Sequence, residues 1–333
     1  MSCANTLRMK AIVITEPGGP EKLELRDLPD PEPGPGEVVL EVAATALNRA
    51  DLLQRRGLYP PPPGATDILG LECAGRVSSL GSDVASLKVG ERVAALLPGG
   101  GYAERVVIPE TMAIPLDDTW DLLDAAAVPE AFLTAREALF TLGRLEPGAH
   151  VLIHAAAGGV GSAAVQLAHQ HGAQVIATAG TPEKLAKVEE LGASHMVNYK
   201  SEDFVDAALA ASGGRGVDVV LDFVGGTYWE KHAKCLANGG RCVVIGVMGG
   251  ATAKVNLGKL LMKRHQILGL VMRSRPLLDK VAITRSFVRE SLPLFKDGRL
   301  RPVIDSVLPL EGARQAHERM EANLNLGKIV LKM

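Results

Sequence analysis

From about position 125 to position 271, short apolar runs alternate with stretches whose apolar positions recur at helical spacing. The pattern predicts a helix over 131–142 and then strand 151–154, helix 160–171, strand 175–178, helix 183–191 and strand 196–199. It continues with helix 203–211, strand 217–223, helix 228–236, strand 241–245 and a last strand at 267–271. Strands separated by helical segments of this length are βαβ units, which build a parallel sheet. Six such strands are what two mononucleotide-binding halves of a doubly wound fold require. Before this region the texture differs. Runs such as 37–42 (EVVLEV) and 92–97 (RVAALL) are punctuated by turn clusters such as 30–36 (DPEPGPG), which reads as a compact, mostly β unit. After it come a helix at 286–296, a strand at 303–307, a helix at 310–322 and a strand at 328–332. This tail is expected to return to the first unit.

The chain has 333 residues, more than one ordinary core accommodates, so two domains are expected. Hydrophobic residues at 47% and charged residues at 22% fit a well-packed globular protein. A net charge of −2 with scattered basic residues gives no footprint for nucleic acid, and 4% aromatics argues against base stacking as the main activity. No apolar run is long enough to span a bilayer, and residues 1–10 (MSCANTLRMK) lack the apolar core of a secretory signal. Cys3, Cys73, Cys235 and Cys242 form no CxxC motif. They read as buried, reduced thiols of a cytoplasmic protein rather than a zinc knuckle or redox pair.

Between the predicted strand 151–154 and helix 160–171 lies His154-Ala155-Ala-Ala-Gly158-Gly159-Val160-Gly161. Alone, a glycine-rich loop is only a tight turn. Followed by this alternation it is a dinucleotide site, in which glycines let the backbone approach a pyrophosphate held at a helix N-terminus. An NAD site normally places an acid at the tip of the second strand for the ribose 2′-hydroxyl. Here that strand ends Thr178-Ala179-Gly180-Thr181. Gly180 leaves room for a 2′-phosphate, Lys184 offers an ammonium, and Tyr199 at the third strand's tip offers a hydroxyl. The cofactor expected is NADPH. Gly246, after the fifth strand, is placed for backbone approach to the nicotinamide. Asp222 closes the fourth strand, as either a cofactor contact or a loop brace. His154 is a core or cofactor-facing side chain with no Ser and Asp at hydrolase spacing, and the remaining histidines read as surface residues.

Several motifs carry a resemblance: Ala46-Leu47-Asn48-Arg49-Ala50-Asp51, 57–64 (GLYPPPPG), Gly70-Leu71-Glu72, 96–101 (LLPGGG), 126–134 (AAVPEAFLT), 225–230 (GGTYWE), 270–275 (LVMRSR) and 321–331 (EANLNLGKIVL). They span nearly the whole chain in order. The sequence resembles the quinone oxidoreductase (zeta-crystallin-like) branch of the medium-chain dehydrogenase/reductase superfamily. That resemblance implies an α/β protein with a GroES-like, mostly β catalytic domain at 1–128 and 271–333. A Rossmann NADPH-binding domain would occupy 129–270. It also implies a homodimer built through the cofactor domain, with the fifth-strand region 241–255 as its edge.

Zinc-dependent members of the superfamily carry Cys-x-x-Asp and Gly-His-Glu. This chain has Asn48 and Leu71 at the Cys and His positions. Leucine ligates no metal and an amide ligates zinc poorly, so a zinc-free site is expected. Without a Lewis acid to hold an alkoxide, hydride transfer favours acceptors that yield a delocalised oxyanion, such as quinones and conjugated carbonyls. Near the acceptor the resemblance places Asn48, donating its amide; Asp51, orienting neighbours; and Tyr59, capping the site and donating its hydroxyl. Tyr59 reads equally well as a packing residue. Leu270, Met272 and Asn323 correspond to cofactor-lining segments. Arg273 and Arg275 read as surface residues or phosphate partners. Two rivals stand beside a quinone reductase. An enoyl-thioester reductase would need a basic channel, for which only Arg55 and Arg56 offer themselves. A crystallin-like or RNA-binding role fits poorly with an intact cofactor loop and near-neutral charge.

Overall fold

A computed structural model of the chain describes residues 8–333; the segment 1–7, including Cys3, lies outside them. The chain divides into two compact units, one comprising Met1–Glu130, Arg273–Leu292 and Pro302–Met333, the other Ala131–Met272 and Pro293–Arg301.

In the first unit β1 (Arg8–Ile14) pairs with β2 (Leu23–Pro29), and β3 (Glu37–Ala46) leads through α1 (Arg49–Arg55) to β4 (Glu72–Leu80). There follow β5 (Arg92–Leu96), β6 (Arg105–Pro109), β7 (Ala113–Pro115) and α2 (Leu122–Ala126). β3 is the organising strand: β4 and β6 both run antiparallel to it, and its inward residues Val38, Leu40 and Val42 pack with Cys73, Val77, Val93 and Ile108. Such burial of branched side chains contributes about 1.5–3 kcal/mol each.

The second unit begins with α3 (Pro129–Arg136), which runs into a π-helical turn over Glu137–Leu142. Then come β8 (His150–Ile153), α4 (Gly159–Gln170), β9 (Gln174–Ala179), α5 (Pro182–Glu190), β10 (His195–Asn198), α6 (Phe204–Ala211), β11 (Val217–Asp222), α7 (Trp229–Cys235), β12 (Leu236–Val244), α8 (Leu257–Lys263) and β13 (Gln266–Gly269). All six strands are parallel, in the order β10-β9-β8-β11-β12-β13. This doubly wound order reverses between β8 and β11, the crevice at which such sheets bind nucleotides. The strands read as near-continuous apolar runs because helices cover both faces. The edges of this sheet are β10 and β13, and β12 is enclosed between β11 and β13. The strand part of the region anticipated as the edge, 241–244, is therefore interior to the sheet, while 245–255 lies beyond β12.

Beyond β13 the chain forms α9 (Leu277–Glu290), α10 (Leu292–Lys296), β14 (Ile304–Pro309), α11 (Ala313–Glu321) and β15 (Lys328–Lys332). One helix over 286–296 was expected. Instead α9 starts at Leu277 and breaks at Ser291, because Pro293 has no N–H to continue the ladder. The expected helix over 310–322 opens as a single 3-10 turn, Leu310–Gly312, before α11. The tail does return to the first unit: β15 pairs antiparallel with β3 and parallel with β14. That completes a seven-stranded sheet. α1 and α8 are short helices that the apolar pattern did not announce. Among the described residues no helix is long and apolar enough to cross a membrane.

Candidate active site

In the first unit, Ala46-Leu47-Asn48 leaves β3 and α1 begins at once, so Asn48 becomes the helix N-cap and Asp51 its third residue. Asp51 accepts the Asn48 backbone N–H at 2.8 Å, a reciprocal cap that fixes the turn. Both ends of the Asn48 amide are engaged. Its Nδ2 donates to Glu72 Oε1 at 2.9 Å and to Ala46 O at 3.2 Å, and its Oδ1 accepts from Lys328 Nζ at 2.6 Å. The Lys328 ammonium also donates to Leu47 O at 2.7 Å and lies 2.6 Å from Glu72 Oε1. Three donors thus meet three acceptors. The second Glu72 oxygen accepts the Glu130 N–H at 2.8 Å. Neither Glu72 nor Lys328 was singled out from the sequence: one sat inside the Gly-x-Glu motif and the other in a Gly-Lys pair, with no spacing to link them.

Behind this cluster runs a buried chain of hydrogen bonds. Arg55 Nη1 donates to His317 Nδ1 at 3.0 Å, which assigns the ring proton to Nε2, 3.2 Å from the Tyr102 oxygen. The Tyr102 hydroxyl donates in turn to Asp51 Oδ2 at 3.2 Å, and the Gly70 N–H reaches Oδ1 at 3.3 Å. Asp51 is fully buried; desolvation pushes its pKa up to about 6 against the lowering effect of these donors and of Lys328. Burial, with Arg55 beside it, pulls His317 down to about 3, so the ring is neutral. Arg55 is wholly buried, bonded to Gly18 O and Glu321, so it belongs to the core and not to a basic channel; Arg56 meets the same Glu321 at the surface.

Tyr59 follows α1 on the proline-stiffened loop and is half-buried. The Arg273 guanidinium stands 5.3 Å from its ring centroid, a cation–π contact. Arg273 also donates to Tyr59 O at 3.3 Å and to Pro98 O at 2.6 Å. It is 5% exposed, which corrects the expectation of a solvated surface arginine, and its Nη2 is buried without a hydrogen-bond partner among the described residues. Burial raises the Tyr59 pKa; the Glu130 carboxylate adds to this and Arg273 opposes it. Desolvation, with Glu72 nearby, raises Glu130 as well. Asn323 sits at φ +54° after α11, its Oδ1 accepting from Arg49 at 2.7 Å.

In the second unit the glycine-rich loop has the form its residues require. Ala155 takes a left-handed φ of +45°, Gly158 N donates to Ala155 O at 2.9 Å, and Gly158 caps α4. A Cβ at Gly161 would lie 2.3 Å from Ala155 O, so only glycine fits there. The first-turn amides of Gly159, Val160 and Gly161 have no partner within an α-helix and make an anion site. At the tip of β9, a Cβ on Gly180 would fall 2.7 Å from the Tyr199 hydroxyl and 3.1 Å from Lys200 Cε. Gly180 and Tyr199 thus lie together, and Lys200 joins them as a cation the sequence reading overlooked. Lys184 lies in the first turn of α5, whose cap is Thr181. Gly246 follows β12, its N–H directed at Asp222 O at 3.2 Å. Leu270 and Met272 are buried.

Asp222 is a loop brace: it is 2% exposed, and its Oδ1 accepts the Val224 and Gly225 N–H groups at 2.8 and 2.9 Å. His154 is a core side chain, and His232, His265 and His317 are buried too, against the expectation of surface histidines. Cys73, Cys235 and Cys242 are free and buried.

A buried hydrogen-bond cluster in a β unit and a nucleotide loop on a doubly wound sheet define a two-unit oxidoreductase of dehydrogenase type. The chain matches the alcohol dehydrogenase GroES-like domain over residues 34–118 and the zinc-binding dehydrogenase family over residues 159–285. It is 38% identical to a quinone oxidoreductase of Pseudomonas aeruginosa, over 97% of this chain and 99% of that protein. It is 33% identical to the quinone oxidoreductase of Rattus norvegicus, over 97% of each. Solved structures superpose closely. An NAD-dependent alcohol dehydrogenase matches with TM-score 0.86 at 34% identity, covering 97% of this chain and 99% of its own. A mycobacterial protein complexed with NADPH gives 0.85 at 29% identity (98% and 100%), and CurK enoyl reductase 0.86 at 30% identity (98% and 99%). The chain belongs to the medium-chain dehydrogenase/reductase superfamily, and its quinone oxidoreductases are among its homologues.

Proposed function

We propose that this oxidoreductase is a zinc-independent NADPH:quinone reductase, passing hydride to small ortho-quinones or related conjugated carbonyls. The observation that carries the reading is the Lys328–Glu72–Asn48 cluster. Where zinc-dependent relatives have Cys and His, this chain has Asn48 and Leu71, and its Lys328 ammonium lies 2.6 Å from both Glu72 and Asn48. Glu72 and Asn48 each spend both of their ends on hydrogen bonds, and Leu71 offers no donor atom, so the residues present do not fit a zinc ion.

NADPH supplies the hydride, and the chain's residues do the rest. The amides of Gly159, Val160 and Gly161 receive the pyrophosphate. Gly180, Lys184, Tyr199 and Lys200 form a cationic, acid-free cradle suited to a 2′-phosphate, and an acid at Gly180 would repel it. The Tyr59 hydroxyl and the unpartnered Arg273 Nη2 are the donors available to a developing oxyanion, which a quinone spreads over its ring. Asn48 and Asp51 act by position, Asn48 fixing Lys328 and Glu72, and Asp51 closing the α1 cap.

Comparing kcat/KM for NADPH and NADH with 1,2-naphthoquinone tests the cofactor; equal values refute the NADPH reading. Crotonyl-CoA as a competing acceptor tests the substrate class, because an enoyl-thioester reductase would turn it over faster. Chelator-treated protein keeps full turnover if zinc is dispensable, whereas loss restored by zinc refutes that part. A cytoplasmic homodimer joined along the β13 edge completes the proposal. Leu257, Leu261 and Met262 on α8 and Ile267 on β13 are exposed there, and a two-fold contact would cover them.

A further inference from the structure

The second unit carries a polar cluster that the proposed hydride transfer does not use. In a parallel sheet, paired positions and those two residues along share a face. The pairings Leu152 with Ile176, Leu152 with Val220, and Val220 with Cys242 therefore put four polar side chains on one face. They are Thr178 of β9, His154 just after β8, Asp222 of β11 and Cys242 of β12. From α7, His232 descends onto the same face. Phe204, Tyr228 and apolar residues of α6 surround the group, and His154, Asp222, His232 and Cys242 are all at most 2% exposed.

We propose that Asp222, His232 and Cys242 form a buried site for one zinc-class divalent cation, separate from the Lys328 cluster. One carboxylate oxygen, one imidazole nitrogen and one sulfur lie within 4.8 Å of one another. His232 Nδ1 is 3.7 Å from Asp222 Oδ2 and 3.8 Å from Cys242 Sγ. The first separation is too long for a hydrogen bond. Both match the edge of a tetrahedron whose metal–ligand bonds are about 2.0–2.3 Å, which is roughly 3.3–3.8 Å.

Apart from the S–H contact between Cys242 and His232 Nδ1, which a metal would replace, the surrounding hydrogen bonds leave the right atom of each residue available. Asp222 receives its two backbone donors on Oδ1, which leaves Oδ2. His232 Nε2 lies 2.9 Å from His154 Nε2, and His154 Nδ1 lies 2.9 Å from Thr178 Oγ1. Burial holds both rings neutral, His232 at about 3 and His154 well below its ordinary value. Two tautomer sets satisfy this chain, and metal binding selects the one in which His232 donates from Nε2 to His154 and His154 donates from Nδ1 to Thr178. The lone pair of His232 Nδ1 then faces Asp222 and Cys242. A ligating imidazole whose far nitrogen is anchored in this way is the usual support for a bound metal. On binding, the Cys242 S–H bond breaks, its proton leaves to solvent and a metal–sulfur bond forms, with no change in oxidation state. Thiolate and carboxylate together cancel the dication's charge, which a buried site requires. Thiolate, imidazole and carboxylate in combination select zinc and cobalt over magnesium or calcium.

The test is cobalt and zinc titration of the full chain, stripped with chelator and kept reduced. Cobalt is expected to bind one equivalent, with a thiolate-to-cobalt charge-transfer band in the near ultraviolet and intense tetrahedral visible bands. Zinc displaces it. Cys242→Ala removes the charge-transfer band, and His232→Asn, which keeps the thiol, weakens binding at least 100-fold. Cys73→Ser changes neither. The proposal is overturned if no thiolate band forms, if the band survives in Cys242→Ala, or if His232→Asn binds like the parent. Zinc bound at the Lys328 cluster would instead persist in Cys242→Ala and be required for turnover, so the two readings fail in different ways.

Discussion

Replacing Lys328 with methionine keeps the length of the side chain and removes its charge. In the parent, the ammonium is 5% exposed and its partner Glu72 is fully buried, 2.6 Å away. The substitution leaves a buried carboxylate without its counter-charge and deprives Leu47 O and Asn48 Oδ1 of their donor. Removing one partner of a buried ion pair costs about 3–5 kcal/mol. In a domain of this size each kcal/mol moves the melting temperature by about 2–4 °C, so the β unit should melt about 6–20 °C lower. Differential scanning calorimetry of the parent, Lys328→Met and the double variant Lys328→Met/Glu72→Gln measures it. The double variant discharges the stranded carboxylate and should recover at least half of the loss. A single variant within 2 °C of the parent would refute the argument, as would a double variant no better than the single.

Three other expectations follow from the same structure. Asp51 binds its proton more tightly folded than unfolded, so it stabilises the fold at low pH. That contribution is lost as pH rises from about 4 through its folded value of about 6, a difference on the order of 3 kcal/mol; urea unfolding of Asp51→Asn across this window should show a correspondingly flatter curve. Tyr59→Phe should lower quinone kcat about tenfold with the NADPH KM unchanged, and equal steady-state kinetics would return Tyr59 to a packing role. Gly180→Asp should raise the NADPH KM at least tenfold, through charge repulsion and a Cβ 2.7 Å from the Tyr199 hydroxyl; Lys200→Ala should raise it less, and tight NADPH binding by Gly180→Asp would contradict the assigned cradle.

What the sequence made legible was local. The βαβ alternation is written in apolar runs and helical spacing, and the glycine loop in four consecutive residues, so Gly158 to Gly161 and Gly180 could be placed without coordinates. The substitutions Asn48 and Leu71 were readable because each sits in a motif whose chemistry is known. The partners that give these residues meaning come from elsewhere in the chain. Lys328 reaches Asn48 and Glu72, Arg273 reaches Tyr59, and His232 reaches His154 and Asp222; no periodicity encodes such meetings. For the same reason His317 read as a surface residue and Arg55 as a candidate for a basic channel. Their burial depends on the Tyr102–Asp51 chain that satisfies them, and composition alone assigns polar side chains to solvent. The break at Ser291 was obscured differently, by apolar spacing that runs on through Leu292 and Pro293.

The pairing of β15 with β3 has a consequence for how the molecule is made. Lys328 and Leu47, which meet at the join, are 281 positions apart. A ribosome adding about 5–20 residues per second releases the last strand many seconds after β3. In that interval every strand of the parallel sheet has been synthesised, so the middle of the chain can finish folding before its beginning does. Until β15 arrives, the 44–46 end of β3, beyond the stretch that β6 pairs with, presents unsatisfied main-chain groups to whatever is nearby. A nascent chain released before β15 therefore carries an open strand end, the kind of edge that invites pairing with another chain.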